Sequence, residues 1–331
     1  MFPLPLTLDN LTLPKEKNYF NSLRVLAILL WVAVAATCFG LPYALLVGFF
    51  LWLANGLLVA HLRSEGVQVT AEQFPELHKT FLEVVTALDL KKMPELYVIQ
   101  SNGVLNAFAT RHSGREFVVI YSSILDNYGY DSAEMRFLIG HEIGHIQAKH
   151  LMKRLLLAPT IILPWLPPAY SRACEASCDR YGAFAASNID GAINAMMTLS
   201  AGKMPASKMV PAIFAQQHFS QRDFFVSWHE LNSFYPTLSQ RVSNLVAIKQ
   251  GVFHKSPERH PLAYLFTLFN LRSFIVIYAL FIIAALALPA MSAARKKAQE
   301  IQAQQQQKML EPHEPHANSQ ADPNAPQSLP Q

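Results

Sequence analysis

The sequence predicts an α+β fold that is mainly helical, has a small sheet, and carries transmembrane helices. Charged residues make up only 15% of the chain, which is low for a soluble protein. Long uncharged apolar runs lie towards each end of the sequence, and between them helical periodicity alternates with short apolar runs. At 331 residues the chain can bury a full core, and we expect one main domain with appendages.

Composition also bears on partners and cysteine use. The net charge of +4 is small and spread along the chain, so nucleic acid is not favoured as a partner. The three cysteines form no disulfide framework. Two of them, Cys174 and Cys178, lie one helical turn apart, and this spacing favours packing as small apolar groups over metal ligation.

A predicted transmembrane hairpin over residues 24–60 follows an N-terminal tail over residues 1–23. From residue 25 to residue 60 the sequence has no charged side chain. At about 1.5 Å per helical residue, this run approaches two crossings of a hydrocarbon core about 30 Å thick. Gly40-Leu41-Pro42 interrupts the run and predicts the turn. A signal peptide is the alternative, but the apolar run extends past any plausible cleavage site.

A third transmembrane helix is predicted over residues 273–292, which are uncharged. Residues 293–331 are rich in Gln and Pro and predict a disordered polar tail. Basic residues at Arg295-Lys296-Lys297 favour a cytoplasmic tail, which would place the main domain outside. A larger basic set favours a cytoplasmic main domain by the positive-inside rule. This set is Lys15, Lys17, Arg24, Arg63 and Arg272.

The main domain is expected over residues 61–260. Ala71–Leu88 has apolar residues at helical spacing, whereas Leu96–Ile99 and Phe117–Tyr121 have strand character. Asn106–Ala109 lies between these two strands. On pattern alone it favours a plain hairpin strand. The alternative is an exposed sheet edge, which suits the docking of an extended peptide.

The motif that carries the chemistry is His141-Glu142-Ile143-Gly144-His145, within a segment that favours a helix. Residues four apart lie on the same helical face, so His141 and His145 can offer two imidazoles to one metal ion. Glu142 is placed to act on a water molecule that the metal activates. Chance spacing of two core or surface histidines is the alternative. His150 lies five residues after His145 and is expected to point away from the metal face.

A third metal ligand is predicted at Glu175, with Asp179 four residues later on the same helical face. Asp179 can then accept a hydrogen bond from the far nitrogen of a ligand histidine and fix its orientation. An ordinary solvated helix face is the alternative for this pair. Residues 155–168, between the motif and Glu175, are apolar but broken by prolines. We expect them to form a loop or a membrane-dipping segment rather than a span.

These features together resemble the integral-membrane zinc metalloprotease family, which includes the HtpX-like heat-shock proteases and the CAAX prenyl proteases. The resemblance covers about residues 70–250 and implies a zincin-type domain that binds one Zn²⁺. It implies that His141, His145 and Glu175 are the ligands and that Glu142 is the catalytic base. It also implies an edge strand that holds the substrate, formed here by Asn106, Ala107, Phe108 and Ala109.

The chain departs from the family pattern at several positions. Cys178 stands where the family has an Ala before the Asp. Tyr235 stands where the family has a His before Pro; its hydroxyl can donate to a developing oxyanion, and a core aromatic is the alternative. Arg241 is expected to brace Asp179 or the oxyanion site, with a surface salt bridge as the competing interpretation. The two membrane spans that HtpX-like members have between His145 and Glu175 are missing.

The function implied by the resemblance is that of a membrane-anchored zinc endopeptidase acting beside the bilayer. Its substrates would be polypeptides, including misfolded membrane proteins, and its location a bacterial inner membrane with a cytoplasmic catalytic domain. Two alternatives stay open. One is a catalytically silent zinc-binding chaperone or scaffold, which the intact Glu142 does not favour. The other is a receptor or sensor that signals by cleaving a partner.

Overall fold

The computed structural model describes residues 6–37, 40–101, 103–252, 255–269 and 271–310. The chain divides into two compact units, Met1–Ser273 and Phe274–Gln331. The described strands are β1 (Val67–Gln68), β2 (Glu95–Ile99), β3 (Ala107–His112) and β4 (Arg115–Tyr121). The described α-helices are α1 (Pro14–Ala36), α2 (Gly40–Glu65), α3 (Pro75–Ala87), α4 (Ser122–Tyr128), α5 (Ala133–Gln147), α6 (His150–Leu156), α7 (Leu166–Ala186), α8 (Ile189–Ala201), α9 (Lys203–Ala206), α10 (Pro211–Ser220), α11 (Phe224–Asn232), α12 (Leu238–Gln250), α13 (Pro261–Thr267) and α14 (Leu271–Leu310). The predicted fold class, mainly helical with a small sheet, is confirmed.

Helices α1 and α2 are long and apolar enough to cross a membrane, with 23 and 26 residues. Their bounds differ from the predicted hairpin at both ends. Helix α1 begins at Pro14 rather than near residue 24, because proline is favoured in the first helical turn and Leu13 before it is extended. Residues 14–23 are therefore helical, where a tail was predicted. Helix α2 continues to Glu65.

Helix α14 contains the third predicted span, residues 273–292, and continues to Leu310. The prediction of disorder from residue 293 onwards is therefore wrong for residues 293–310. These residues are rich in Ala, Lys and Gln, which are good helix formers and extend a helix that has already started. The rest of the predicted tail, residues 311–331, lies outside the described residues. The membrane crossing by α14 stays a prediction.

The sheet has the strand order β1-β2-β4-β3, so β3 lies at one edge. Strands β2 and β4 are parallel, and both match the predicted strands. Strands β3 and β4 form an antiparallel hairpin with Phe108 opposite Val119. Its two-residue turn, Ser113-Gly114, has positive φ at both positions, as tight hairpin turns require. Residues 107–109 are therefore part of a hairpin strand that is also the sheet edge, and the docking of a peptide there stays a prediction.

Helix α5 packs against α7 in the centre of the main unit. Two glycines of α5 permit a close approach: a Cβ on Gly140 would lie 2.6 Å from the Cβ of Ala185, and one on Gly144 would lie 2.9 Å from the Cβ of Tyr181. The other face of α5 contributes Ile139 to the apolar core shared with the sheet. The main unit thereby holds α5 on two sides.

The apolar segment between the motif and Glu175 forms no membrane span. After α6 it makes a short 3-10 helix, Ala158–Ile162, before α7 begins at Leu166. Exposed side chains such as Leu155 and Ile161 leave an apolar surface here. The segment lies beside α1, where the Trp31 indole donates to the carbonyl of Leu156 at 2.9 Å. Its position fits a segment that dips into a bilayer.

Adding a methyl group between α5 and α7 should destabilise the protein. We expect Gly140→Ala to lower the free energy of unfolding by about 1–3 kcal/mol relative to Gly48→Ala, because overpacked contacts must shift. The control glycine is helical, and a Cβ added to it would have no atom within 4 Å, so the gain in helix propensity is common to both variants. Denaturation of the purified protein in detergent measures the difference. Equal stabilities would contradict the close packing described for Gly140.

Candidate metal centre

Helix α5 positions the two histidines of the motif. It begins after Ser132, whose side chain caps the helix by accepting a hydrogen bond from the Met135 amide. The rings of His141 and His145 lie 5.1 Å apart between centroids. His141 is 6% exposed, and both rings face α7. The predicted placement on one helical face is what the structure has.

Glu175 on α7 lies opposite both imidazoles. Its Oε2 is 3.3 Å from Nε2 of His141, and its Oε1 is 3.7 Å from Nε2 of His145. One ligand atom from each of the three residues lies within 4.8 Å of the others. Two atoms bound to one tetrahedral zinc at about 2.0–2.1 Å are ~3.3–3.4 Å apart. The two nitrogens and the carboxylate therefore fit a zinc ion in donor type and in spacing.

The charges of the three candidate ligands differ strongly in the metal-free chain. Burial opposes protonation of His141, but hydrogen bonds to Asp179 and Glu175 outweigh it and raise its pKa to about 9. Burial lowers the pKa of His145 to about 3. For Glu175 burial acts upwards, but the hydrogen bond with His141 outweighs it and lowers the pKa to about 2. The buried carboxylate is thus an anion that already attracts a cation.

Asp179 supports His141 from behind. Its Oδ1 lies 3.0 Å from Nδ1 of His141, on the opposite side of the ring from Glu175. Arg241 on α12 contacts both carboxylate oxygens of Asp179, with Nε at 2.9 Å from Oδ2. Burial would raise the pKa of Asp179, but Arg241 and His141 outweigh it and hold that pKa well below its usual range. Arg241 therefore lies where it can brace Asp179, and it is not a surface residue.

Glu142 lies beside the three candidate ligands and points towards the sheet edge. Burial raises its pKa to about 7, opposed by His141 and by a hydrogen bond from the backbone of Ala109. A carboxylate with a pKa near neutrality can both take and return a proton. The contact also connects the proposed base directly to the edge strand β3.

The predicted substrate residues line the same cavity as the metal-site residues. This cavity has a volume of about 260 Å³ and is bounded by Asn106, Ala107, Phe108 and Ala109 together with His141, Glu142, His145, Glu175, Tyr235 and Arg241. The structure therefore brings every predicted site residue except Asp179 to one cavity wall, and Asp179 contacts that wall from behind. Tyr235 is 60% exposed, so it is not a core aromatic.

Helix α2 holds the far end of the edge strand. The Asn55 side chain donates to the carbonyl of Arg111 at 2.7 Å and accepts from the Thr110 hydroxyl at 3.0 Å. The ring of Trp52 lies 5.6 Å from that of His112. A membrane helix thus fixes β3 at one end, and the other end of β3 lines the cavity.

Sequence reasoning missed the contact between His150 and His145 and missed two other residues. Helix α5 ends at Gln147, and Lys149 has a left-handed backbone, so helical spacing does not extend to His150. The His150 ring turns back and places Nδ1 3.0 Å from Nδ1 of His145. Glu16 contacts His150 from α1, and Arg154 lies 3.7 Å from Glu175. No local pattern signals contacts between residues so far apart in the sequence.

Comparison with known protein families gives a match to one segment of the chain. Residues 71–166 match the model of peptidase family M48. The predicted resemblance to a zinc metalloprotease family is confirmed. The M48 segment includes β2 to β4 and the His141–His145 motif, whereas Glu175, Asp179 and Arg241 lie beyond it.

Two known proteins are similar to the chain at low sequence identity. The plastoglobule-localized metallopeptidase 48 of Arabidopsis thaliana, a chloroplast protein, is 26% identical over 152 residues. The match covers 41% of this chain and 43% of the plant protein, so the chain spans less than half the length of that relative. The crystal structure of Ste24p from S. mikatae is 14% identical with a TM-score of 0.44, covering 68% of this chain and 62% of that one.

Removing the charge behind His141 should weaken metal binding. We expect Asp179→Asn to raise the zinc dissociation constant about 10–100-fold, because the Nδ1 side of the ligand ring loses its anionic partner. Competition with a chromophoric chelator measures the constant. Asp190→Asn is the matched control, since Asp190 pairs with Lys249 at an exposed site. Equal affinities for the two variants would contradict the role given to Asp179.

Proposed function

We propose that this chain is a membrane-anchored, zinc-dependent endopeptidase. The observation that carries the proposal is the convergence of His141, His145 and Glu175 at ligand spacing, with Glu142 between them and the sheet edge. The M48 match over residues 71–166 supports the same class of chemistry. The proposed organisation is a membrane hairpin, a metalloprotease domain over about residues 61–260, and a third transmembrane helix over residues 273–292.

The proposed metal role belongs to His141, His145 and Glu175. A zinc ion held by them would polarise the scissile carbonyl and lower the pKa of a water molecule towards about 7. Asp179 and Arg241 keep the Nε2 atom of His141 turned towards Glu175. Arg241 also balances the charge of the buried Asp179, so that Asp179 is not an unpaired anion behind His141.

The proposed proton transfers belong to Glu142. Its carboxylate takes a proton from the attacking water and returns it to the leaving amine of the cleaved peptide. Its pKa of about 7 suits both steps near neutral pH. Tyr235 lines the cavity, and we assign its hydroxyl the donation of a hydrogen bond to the carbonyl oxygen as negative charge develops there.

The proposed substrate is a polypeptide in extended form. It would lie along Asn106–Ala109, which border the cavity at the edge of the sheet, and would add a strand to β3. Because Asn55 on α2 holds the other end of β3, the substrate strand lies next to an apolar helix. This supports membrane proteins, including misfolded ones, as substrates, and hence a role in membrane protein quality control.

The proposed location is a bacterial inner membrane with the catalytic domain in the cytoplasm. The support for this orientation is the set of basic residues that flank the membrane helices on the side of the main domain, as the positive-inside rule predicts. They include Lys15 and Lys17 near the start of α1 and Arg63 near the end of α2.

Replacement of the proposed base should separate metal binding from catalysis. We expect Glu142→Gln to keep its zinc, since the ligands are unchanged, and to lose turnover by about three or more orders of magnitude. The measurement is cleavage of an unfolded model protein by the detergent-purified chain, with zinc content determined on the same samples.

Three results would count against this proposal. Equal turnover in both proteins would mean that another group is the base. Zinc in both with cleavage by neither would favour the chaperone or scaffold alternative. No zinc in the wild type would remove the metal-site assignment itself.

Backbone methylation of a substrate tests the edge strand without changing the protein. A peptide added to β3 forms main-chain hydrogen bonds at every second residue. N-methylation at one set of alternate positions should therefore raise KM about tenfold or more, while methylation at the intervening positions has a smaller effect. A series of singly methylated peptides measures this periodicity. Uniform effects along the peptide would contradict strand addition.

A further inference from the structure

The second candidate ligand, His145, is supported by a separate series of side-chain contacts. Its Nε2 faces Glu175 at 3.7 Å, and its Nδ1 lies 3.0 Å from Nδ1 of His150. The other nitrogen of His150, Nε2, lies 3.0 Å from Oε1 of Glu16. His150 and Glu16 are 1% and 0% exposed. The contacts therefore run without a solvent gap from the metal-site face of His145 to helix α1.

The donors and acceptors in this series of hydrogen bonds, from His145 through His150 to Glu16, can be assigned in one consistent way. A ligand histidine that binds metal through Nε2 carries its proton on Nδ1. That N–H donates to Nδ1 of His150, which must then carry its own proton on Nε2. This second N–H donates to the Glu16 carboxylate, which also accepts from the Lys153 ammonium at 3.0 Å. The series of hydrogen bonds ends at the ion pair of Glu16 with Lys153, which gives the buried carboxylate the charged partner that it requires.

The two ligand histidines are then supported in corresponding ways. Behind His141 is a carboxylate, Asp179, paired with a cation, Arg241. Behind His145 is also a carboxylate, Glu16, paired with a cation, Lys153, and His150 lies between the His145 ring and this carboxylate. In each case the supporting groups turn Nε2 towards Glu175.

A second metal site is the rival interpretation of the same cluster. Two further groups within ligand distance are His145, His150 and Cys178, and Glu16, His150 and Cys174. Cys178 Sγ lies 3.6 Å from Nδ1 of His150. The direct 3.0 Å contacts of both His150 nitrogens favour the hydrogen-bonded series over a second ion.

We propose that Glu16 and His150 are positioning residues for the metal ligand His145, holding its Nε2 towards the ion through hydrogen bonds that begin on helix α1. The membrane hairpin is then part of the metal centre and not only an anchor. This inference rests on the proposed metal role of His145. It adds a contribution from a segment of the chain that lies outside the M48 match.

The test measures zinc affinity rather than activity. The full chain, purified in detergent and stripped of metal, is titrated with zinc against a chromophoric chelator. We expect His150→Leu and Glu16→Gln to raise the dissociation constant about 10–100-fold. His150→Gln should lose less zinc affinity than His150→Leu, because the glutamine side-chain oxygen can still accept a hydrogen bond from the His145 N–H.

Thermal unfolding of the metal-free proteins separates positioning from stability. Thr12→Val is the matched control: it removes the 3.0 Å hydrogen bond between Thr12 and Tyr181, which also joins the N-terminal segment to α7 but touches no candidate ligand. We expect this control to lower the unfolding temperature without changing zinc affinity. If His150→Leu does not fold, the isosteric Glu16→Gln decides.

Four outcomes would overturn the inference. The first is unchanged zinc affinity in both His150→Leu and Glu16→Gln while the wild type binds one ion; this leaves the proposed function intact. The second is equal affinity loss in His150→Leu and His150→Gln. The third is a stoichiometry of two ions that falls to one in His150→Leu, which would assign a second metal site. A wild type without zinc would overturn the proposed function as well.

Discussion

The close packing of α5 against α7 is the constraint on which the candidate metal centre depends. Two histidines on one helix cannot make a three-ligand site until a carboxylate from another element comes within a few ångströms. Gly140 and Gly144 remove the side chains that would keep the helices apart, and Glu175 then lies 3.3 Å from His141. The glycines inside and beside the motif therefore serve the chemistry indirectly, through the distance between two helix axes.

Burial of the site creates an electrostatic requirement that the surrounding elements meet. Histidines and carboxylates removed from water are costly unless each has a partner. Asp179 is paired with Arg241 from α12, and Oε1 of Glu16 is paired with Lys153 and His150, both from α6. The site consequently recruits residues from α1, α6, α7 and α12 around α5. A metal ion would bind to candidate ligands whose side-chain orientations are already fixed by their neighbours.

Local patterns in the sequence were sufficient for much of this arrangement. Helical spacing places His141 and His145 on one face, and alternation and turn residues locate β2 and β4. The same reasoning could not find the contact between His150 and His145, because the helix ends at Gln147 and helical spacing does not extend across the break. It could not find Glu16 either. A glutamate in the first turn of an apolar helix looks like an end-of-span charge, and only the tertiary fold shows that it is completely buried.

The position of Glu16 has a consequence for biosynthesis. Helices α1 and α2 leave the ribosome long before α5 and α7, so the membrane anchor exists before any residue of the metal centre. Glu16, Leu23 and Ala27 of α1 are buried against later parts of the chain. The centre reaches its final form only when these parts close around a helix that is already in place. A chain truncated so that it lacks α1 would lose one side of the proposed support for His145, so the candidate site can form completely only on a chain that keeps its first apolar helix.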